Sequence, residues 1–321
     1  MKPLVAILYA ESRFTPWKEN IDLSTVKSIS DALEPENDVF VVHMTKPCVE
    51  LSDLLQQADY VINLCSGYGQ FDQAQVVSWL DQEGVNHLSS SGRAQMLAQD
   101  KLAVEKILLE KGIHCPLTLD ENNSFSANRF IRKPRYGGCH RGIEIFSCEE
   151  LTYYKQKDDA ADYMIQPYLV GREFSVGVIP AASGVGYEIL PPIEIVPFQN
   201  NRDIYIAGTA FGSTQRIFTP NLSKTELNDL HAAAVSAHIL IGLEYFSRID
   251  FRYTDGIFYV LDVNAMPNMH PEKSMIPAIL KHAGIELKEL MSRFIAYNRN
   301  QKMGPFGLKP LNSTEGVSNN D

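Results

Sequence analysis

The stretch from Arg248 to Asn264 limits the architecture more than any other part of the chain. Two β-rich runs, Arg248-Ile-Asp250-Phe-Arg252-Tyr and Ile257-Phe-Tyr-Val-Leu261-Asp262-Val263-Asn264, flank Thr254-Asp255-Gly256. A glycine able to take positive φ between two such runs predicts a hairpin. Period-two alternation then puts Arg248, Asp250 and Arg252 on one face of the first strand, and on the second it sets Leu261 and Val263 against Asp262 and Asn264. Asp250, Asp262 and Asn264 converge as oxygen donors, a set suited to magnesium, which keeps several waters and is shared with substrate phosphates. The polar outer face of a half-solvated hairpin accounts for any one of these acids equally well. An Asn closing an apolar Val-Leu-Asp-Val run is a natural ligand and an awkward surface residue.

Composition narrows the class. The chain has 321 residues, 45% of them hydrophobic, enough for several lobes with real cores. A net charge of −10 argues against nucleic acid or anionic membrane held by a global basic surface. Five cysteines without a C-x-x-C pair fit a reducing compartment, so a cytoplasmic location is expected. The apolar start, Lys2 to Ala10, runs at once into Glu11 and Arg13 and reads as a buried first strand rather than a signal peptide. No run reaches the length of a membrane span.

Residues 1–95 alternate short β-rich runs (Leu4–Tyr9, Val39–Val42, Tyr60–Leu64) with helical patterns near Leu23–Leu33, Leu51–Gln57 and Gln73–Glu83. That alternation predicts a doubly wound parallel sheet, with ligand sites at the carboxyl ends of its strands, near Cys65-Ser66-Gly67-Tyr68-Gly69. A plain loop is the better reading of that segment. A helix is expected from Gln99 to Gly112, and a strand from Phe130 ending in Lys133-Pro134. The following Gly137-Gly138-Cys139-His140 opens backbone N–H groups to phosphate oxygens beside a lysine. Residues 191–222 lack periodicity and read as a long loop. Lys224–Leu240 reads as an amphipathic helix, Ile276–Phe294 as closing helices, and Asn298–Asp321 as a disordered tail.

The string Arg248-x-Asp250, turn, Leu261-Asp262-Val263-Asn264-x-x-Pro267-x-Met269, then Ser274-Met-Ile-Pro, resembles the C-terminal signature of the ATP-grasp superfamily and, within it, the D-alanine–D-alanine ligases. The resemblance runs from roughly Gly92 to Phe294. It implies an α/β and α+β chain in which the N-terminal doubly wound parallel sheet (1–95) precedes a two-lobed ATP-grasp fold. The central lobe would span 96–170, the C-terminal lobe with the magnesium site 171–300, and a flexible tail 301–321. It also implies ATP and magnesium, expected as two ions, small-molecule amino-acid, carboxylate and amine substrates, and a homodimer.

Site roles follow from the same resemblance. Lys101 and Lys133 would meet phosphate, Gln166 and the Pro167 carbonyl the adenine amino group, the Leu169 N–H a ring nitrogen, and Glu173 the ribose hydroxyls. Arg248 would reach the transferring phosphate and the tetrahedral oxyanion, or else only hold Asp250 by a salt bridge. Asn268 stands where the family has a backbone-donating glycine. Ser274 would bind the carboxylate of the second amino acid, or serve as a helix N-cap. Glu19 is a loose match for the glutamate that pairs with the first amino group. Gly137-Gly138-Cys139-His140 stands where the family has Glu-Gly-Ser-Ser, losing the acid and the serine that help arrange the first substrate, and a thiol–imidazole pair of Cys139 and His140 lacks an orienting acid.

The implied chemistry is ligation of a carboxylate to an amine through an acyl phosphate, releasing ADP and phosphate. The altered substrate loops lead us to expect amino acids other than D-alanine. Alternatives are a genuine D-alanine–D-alanine ligase, an intramolecular cyclase, and a nucleotide-binding module without activity.

Overall fold

Short apolar runs separated by helical patterns build the first layer. The computed structural model describes residues 1–10, 21–65, 72–120, 127–137, 142–157, 159–197 and 214–303. Strands β1 (Leu4–Tyr9), β2 (Asp38–His43) and β3 (Tyr60–Asn63) alternate with α1 (Ile21–Leu33), α2 (Val49–Leu55) and α3 (Asp72–Gln82), and pair in parallel in the order β2-β1-β3. Val5, Ala6, Ile7 and Leu8 are all fully buried because both faces of β1 are covered. Val5 and Ile7 join a core with α1 and the C-terminal helices, while Ala6 and Leu8 face Leu55, Val76 and Leu80. The expected strand–helix alternation is thus present, with β1 at its expected bounds.

Two helices follow where one was expected. Helices α4 (Gly92–Gln99) and α5 (Lys101–Glu110) are divided at Asp100, whose side chain accepts from the Ala103 N–H at 3.2 Å. An N-cap of that kind satisfies a first-turn donor and restarts the helix. Val104 and Leu108 of α5 pack into a core with Phe174, Ile249, Phe251 and Val260 of the C-terminal sheet.

A small antiparallel sheet comes next: β4 (Arg129–Pro134), β5 (Glu144–Ser147), the short α6 (Leu151–Lys155) and β6 (Tyr163–Pro167), in the order β5-β4-β6. Its buried apolar core is Phe130, Phe146 and Ile165. Arg132 lies buried beside them, paired with Glu144 at 2.7 Å and with Asp159, its guanidinium 3.4 Å from the centre of the Tyr163 ring.

The large sheet runs β10-β9-β7-β11-β12, with β8 also on β7. Its elements are β7 (Arg172–Pro180), β8 (Tyr187–Ile189), β9 (Ile193–Pro197), β10 (Thr214–Ile217), α7 (Lys224–Leu240), β11 (Ser247–Thr254), β12 (Ile257–Asn264), α8 (Met275–Ala283) and α9 (Leu287–Met303). Part of the expected loop 191–222 is therefore sheet, since β9 pairs with β10; residues 198–213 lie outside the described residues. The expected tail also begins too early. Helix α9 continues to Met303, and buried Asn298 donates to the Tyr245 hydroxyl at 2.7 Å and to Asn86 at 3.1 Å, joining the helix to the first layer. Residues 304–321 lie outside the described residues.

The β11–β12 hairpin forms as expected, with Asp255 and Gly256 both at positive φ, 51° and 79°. Two such residues make the tight turn whose twist matches its strands. The expected alternation fails at one place. Asp250 pairs with Asp262 and Phe251 with Val260, so Leu261 is an extra residue in β12. This bulge puts Val260 rather than Leu261 on the core side with Val263, and turns Leu261 and Asp262 toward the small sheet.

Candidate active site

A cleft lies between the small sheet, α5 and the bulged part of β12. Lys101, Glu105, Lys133, Gln166, Leu261 and Asp262 line it among apolar side chains. Pairing of Lys133 with Met164 and of Ile131 with Gln166 places Lys133 and Gln166 on one face of the small sheet. The Lys133 ammonium donates to the Leu261 carbonyl at 3.1 Å, which the bulge supplies. Burial pulls the Lys133 pKa down to about 8, with Asp262 opposing the shift and Lys101 adding to it.

Lys101 opens α5 and donates to the Gly137 carbonyl at 2.5 Å. Arg135 grips Asp100 through two nitrogens, at 2.7 and 2.5 Å, and the Tyr136 hydroxyl adds a bond at 3.2 Å. The start of the glycine-rich segment is thereby moored to the N-terminus of α5, where helix dipole and ammonium both favour an anion. Residues 138–141 lie outside the described residues, and with them Cys139 and His140; Glu19 does too.

Gln166 is 2% exposed, and its amide nitrogen donates to Glu105 at 2.7 Å, to the Pro116 carbonyl at 2.7 Å and to Thr118 at 3.2 Å. A base amino group at this position would have to be met by the amide oxygen. Pro167 ends β6, and Leu169 follows in the link to β7. That link lies close against β11, where a Cβ on Gly171 would stand 2.1 Å from the Tyr253 carbonyl oxygen. Glu173 sits in register with Arg252, which donates to it at 2.9 Å. Burial pushes Glu173 up to about 7, with the Arg252 charge pulling the other way.

The acidic end of the hairpin is tightly bonded. Arg248 donates to both oxygens of Asp250, at 2.9 and 2.8 Å, while Ser175 donates at 2.6 Å and Asn264 at 3.0 Å. The salt bridge weighed as Arg248's lesser role is therefore present. Asp262 accepts from the N–H of its neighbour Val263 at 3.1 Å. Among the described residues no group of three His, Cys, Asp or Glu is placed to hold a metal. The set comprises two carboxylates and an amide instead, hard oxygen donors beside two lysines, and it fits a magnesium ion that brings waters and phosphate oxygens of its own.

Ser274 precedes α8 in the N-cap position, but its hydroxyl does not cap the helix. It donates to the Asn268 side-chain oxygen at 2.6 Å and accepts from the His270 N–H at 3.1 Å. The Asn268 oxygen also accepts from that N–H, at 2.8 Å. Asn268 and Ser274 are thus brought together, with the serine proton on the asparagine.

Sequence reasoning missed Glu105 and Ser175, and placed Arg252 on the Asp250 face without its bond to Glu173. Glu105 lies four residues beyond Lys101, the spacing that returns a helix to the same face. Ser175 and Arg252 become neighbours of the site only through cross-strand register.

Residues 131–296 match the family model described as D-ala D-ala ligase C-terminus. The D-alanine–D-alanine ligase of Thermotoga maritima is 29% identical over 286 residues, covering 85% of this chain and 91% of that one. The D-alanine–D-alanine ligase of Pediococcus pentosaceus is 28% identical over 295 residues, covering 85% and 79%. Among solved structures, the D-alanine–D-alanine ligase of Bacillus anthracis superimposes with a TM-score of 0.73 at 20% identity, covering 93% of this chain and 97% of the other. The VanG D-Ala:D-Ser ligase of Enterococcus faecalis gives 0.73 at 15% identity, covering 93% and 100%. These likenesses show the fold, including the parallel N-terminal sheet and the two lobes behind it.

Proposed function

The chain belongs to the D-alanine–D-alanine ligase family, ATP-grasp enzymes that form C–N bonds, and from that premise we propose that it joins two amino acids through an acyl phosphate, with D-alanine as the carboxylate substrate, a reading its D-alanine–D-alanine ligase relatives favour over the other amino acids expected from the altered loops. The single observation that carries the proposal is the convergence of Lys101, Lys133 and Asp262 on one cleft, with Asp250, held by Arg248, paired across the hairpin with Asp262.

In the first step the substrate carboxylate attacks the γ-phosphorus of ATP, the bond to the β-bridging oxygen breaks, and ADP leaves. Phosphoryl transfer of this kind requires positioning and charge neutralisation above all. Lys101 and Lys133 hold the phosphates, Gln166, Pro167 and Leu169 the base, and Glu173 the ribose. Asp250, Asp262 and Asn264 would hold magnesium, which supplies Lewis-acid polarisation of the phosphates when bound. In the second step the free amine attacks the acyl carbon, phosphate leaves, and the amine nitrogen gives up a proton to water. Arg248 and the Asn268 N–H are the donors we assign to the oxyanion of that tetrahedral intermediate, where fixed donors act most strongly.

A second reading concerns the amine. Ser274 has one proton and donates it to Asn268. This favours an acceptor other than D-alanine, one whose carboxylate does not depend on that hydroxyl. Release of ADP with magnesium and ATP, measured with D-alanine alone and with D-alanine paired against a panel of amino acids, separates the two. Turnover with D-alanine alone supports the first reading, and turnover only with a mixed pair supports the second. Silence with every pair would defeat both.

A further inference from the structure

We infer that Glu105 is a positioning residue that makes the cleft select adenine over 6-oxopurine nucleotides, by fixing which end of the Gln166 amide faces the base. The inference rests on the nucleotide site proposed above. A glutamine side chain is ambiguous by itself: its oxygen accepts from the 6-amino group of adenine, and its nitrogen, turned by half a rotation, donates to a 6-oxo group. Glutamine alone therefore gives a base pocket no preference.

The surroundings remove the ambiguity. The Gln166 nitrogen has two protons and stands 2.7 Å from a Glu105 carboxylate oxygen and 2.7 Å from the Pro116 carbonyl. Thr118 is spoken for as well, since its N–H and hydroxyl donate to the two Glu105 oxygens at 2.8 and 2.6 Å. Its hydroxyl oxygen, 3.2 Å from Gln166, can only accept there. Each neighbour of the amide nitrogen is an acceptor, so a turned amide would set its oxygen against three others. Glu105 is 7% exposed and Gln166 2%, so water cannot relieve that clash. The amide oxygen is left as the end that meets a base.

Equilibrium binding of ATP and ITP to the full chain with magnesium tests this, by calorimetry and without turnover. ITP replaces the 6-amino group by oxygen. Wild type should bind ATP more tightly by at least about tenfold. In Glu105→Gln the new amide gives its oxygen to the Thr118 N–H and turns its nitrogen toward Gln166, which no longer has a fixed orientation. The ATP preference should then fall by about fivefold or more, one hydrogen bond's worth. Pro167 and Leu169 act through main chain and keep their share, so a decrease rather than abolition is expected. Gln166→Met lacks both donor and acceptor and should lower the ratio likewise, which keeps the test open if Glu105→Gln fails to fold. An unchanged ratio in a folded variant would overturn the role of Glu105. Equal binding of ATP and ITP by wild type would overturn it too and leave the ligase reading standing, whereas failure of wild type to bind either nucleotide would overturn both.

Discussion

Arg248 closes on Asp250 from two residues away on the same strand, with Nε at 2.9 Å from Oδ1 and a terminal nitrogen at 2.8 Å from Oδ2. One proposed magnesium ligand is thus neutralised before any metal arrives, while its cross-strand partner Asp262 is bonded only to the adjacent Val263 N–H among the described hydrogen bonds. The two acids therefore differ in what they do for the fold.

Asp250→Ala strips Arg248, Ser175 and Asn264 of a shared acceptor, and stability should fall by about 2–3 kcal/mol in chemical denaturation. Asp262→Ala gives up one local bond and an attraction to Lys133, and should cost less than half as much. Both should abolish magnesium-dependent ADP release. Equal stability losses would contradict the bonding pattern.

Arg248→Ala should lower turnover by about 10²–10³-fold while nucleotide affinity stays within about threefold, because a cation aimed at developing charge acts in the transition state. Steady-state ADP release and a separate nucleotide titration check the split. Unchanged turnover would reduce Arg248 to a partner of Asp250.

Lys133 gives a pH signature. Its folded pKa, about 8, lies below the ordinary 10.5. Between those values the unfolded chain binds the extra proton, so stability rises as pH climbs from about 8 to 10.5. Lys133→Met should be more stable than wild type at pH 7, with the gain shrinking over that interval. Arriving phosphate would favour the ammonium, so nucleotide binding near pH 8 should take up protons, seen as a buffer-dependent heat in calorimetry. Proton uptake should vanish in the variant.

The small lobe should open first. Phe130, Phe146 and Ile165 form its buried apolar core, against the much larger clusters on either face of the C-terminal sheet. Amides of β4 and β6 should exchange faster than those of β7 and β11 in hydrogen-exchange measurements on the nucleotide-free protein, and slow when nucleotide bridges the cleft. Equal protection would show that the lobes open as one body.

What the sequence disclosed follows the reach of each signal. The strand from Leu4 to Tyr9 and the helix from Lys224 to Leu240 were legible at their observed bounds, because apolar runs and helical periodicity are local. The bulge at Leu261 was not, since period-two counting has no way to register one extra residue. Asn298 looked like tail because its neighbourhood is polar, yet its partners Asn86 and Tyr245 are far away in sequence. Asp262 was legible from the alternation of its hairpin and Lys133 from the glycine-rich segment that follows it, the resemblance adding their roles, whereas Glu105 required the fold: its bonds to Gln166 and Thr118 join α5 to the small lobe.

The most direct test follows oxygen. With ATP, magnesium and D-alanine labelled with ¹⁸O in its carboxylate, attack of that carboxylate on the γ-phosphorus carries one labelled oxygen into the phosphate released in the second step. The account predicts inorganic phosphate with one ¹⁸O per product formed, read by mass spectrometry or by the ³¹P shift. Product formed with unlabelled phosphate would contradict the acyl-phosphate route and the assignment of Arg248, Lys101 and Lys133 to it.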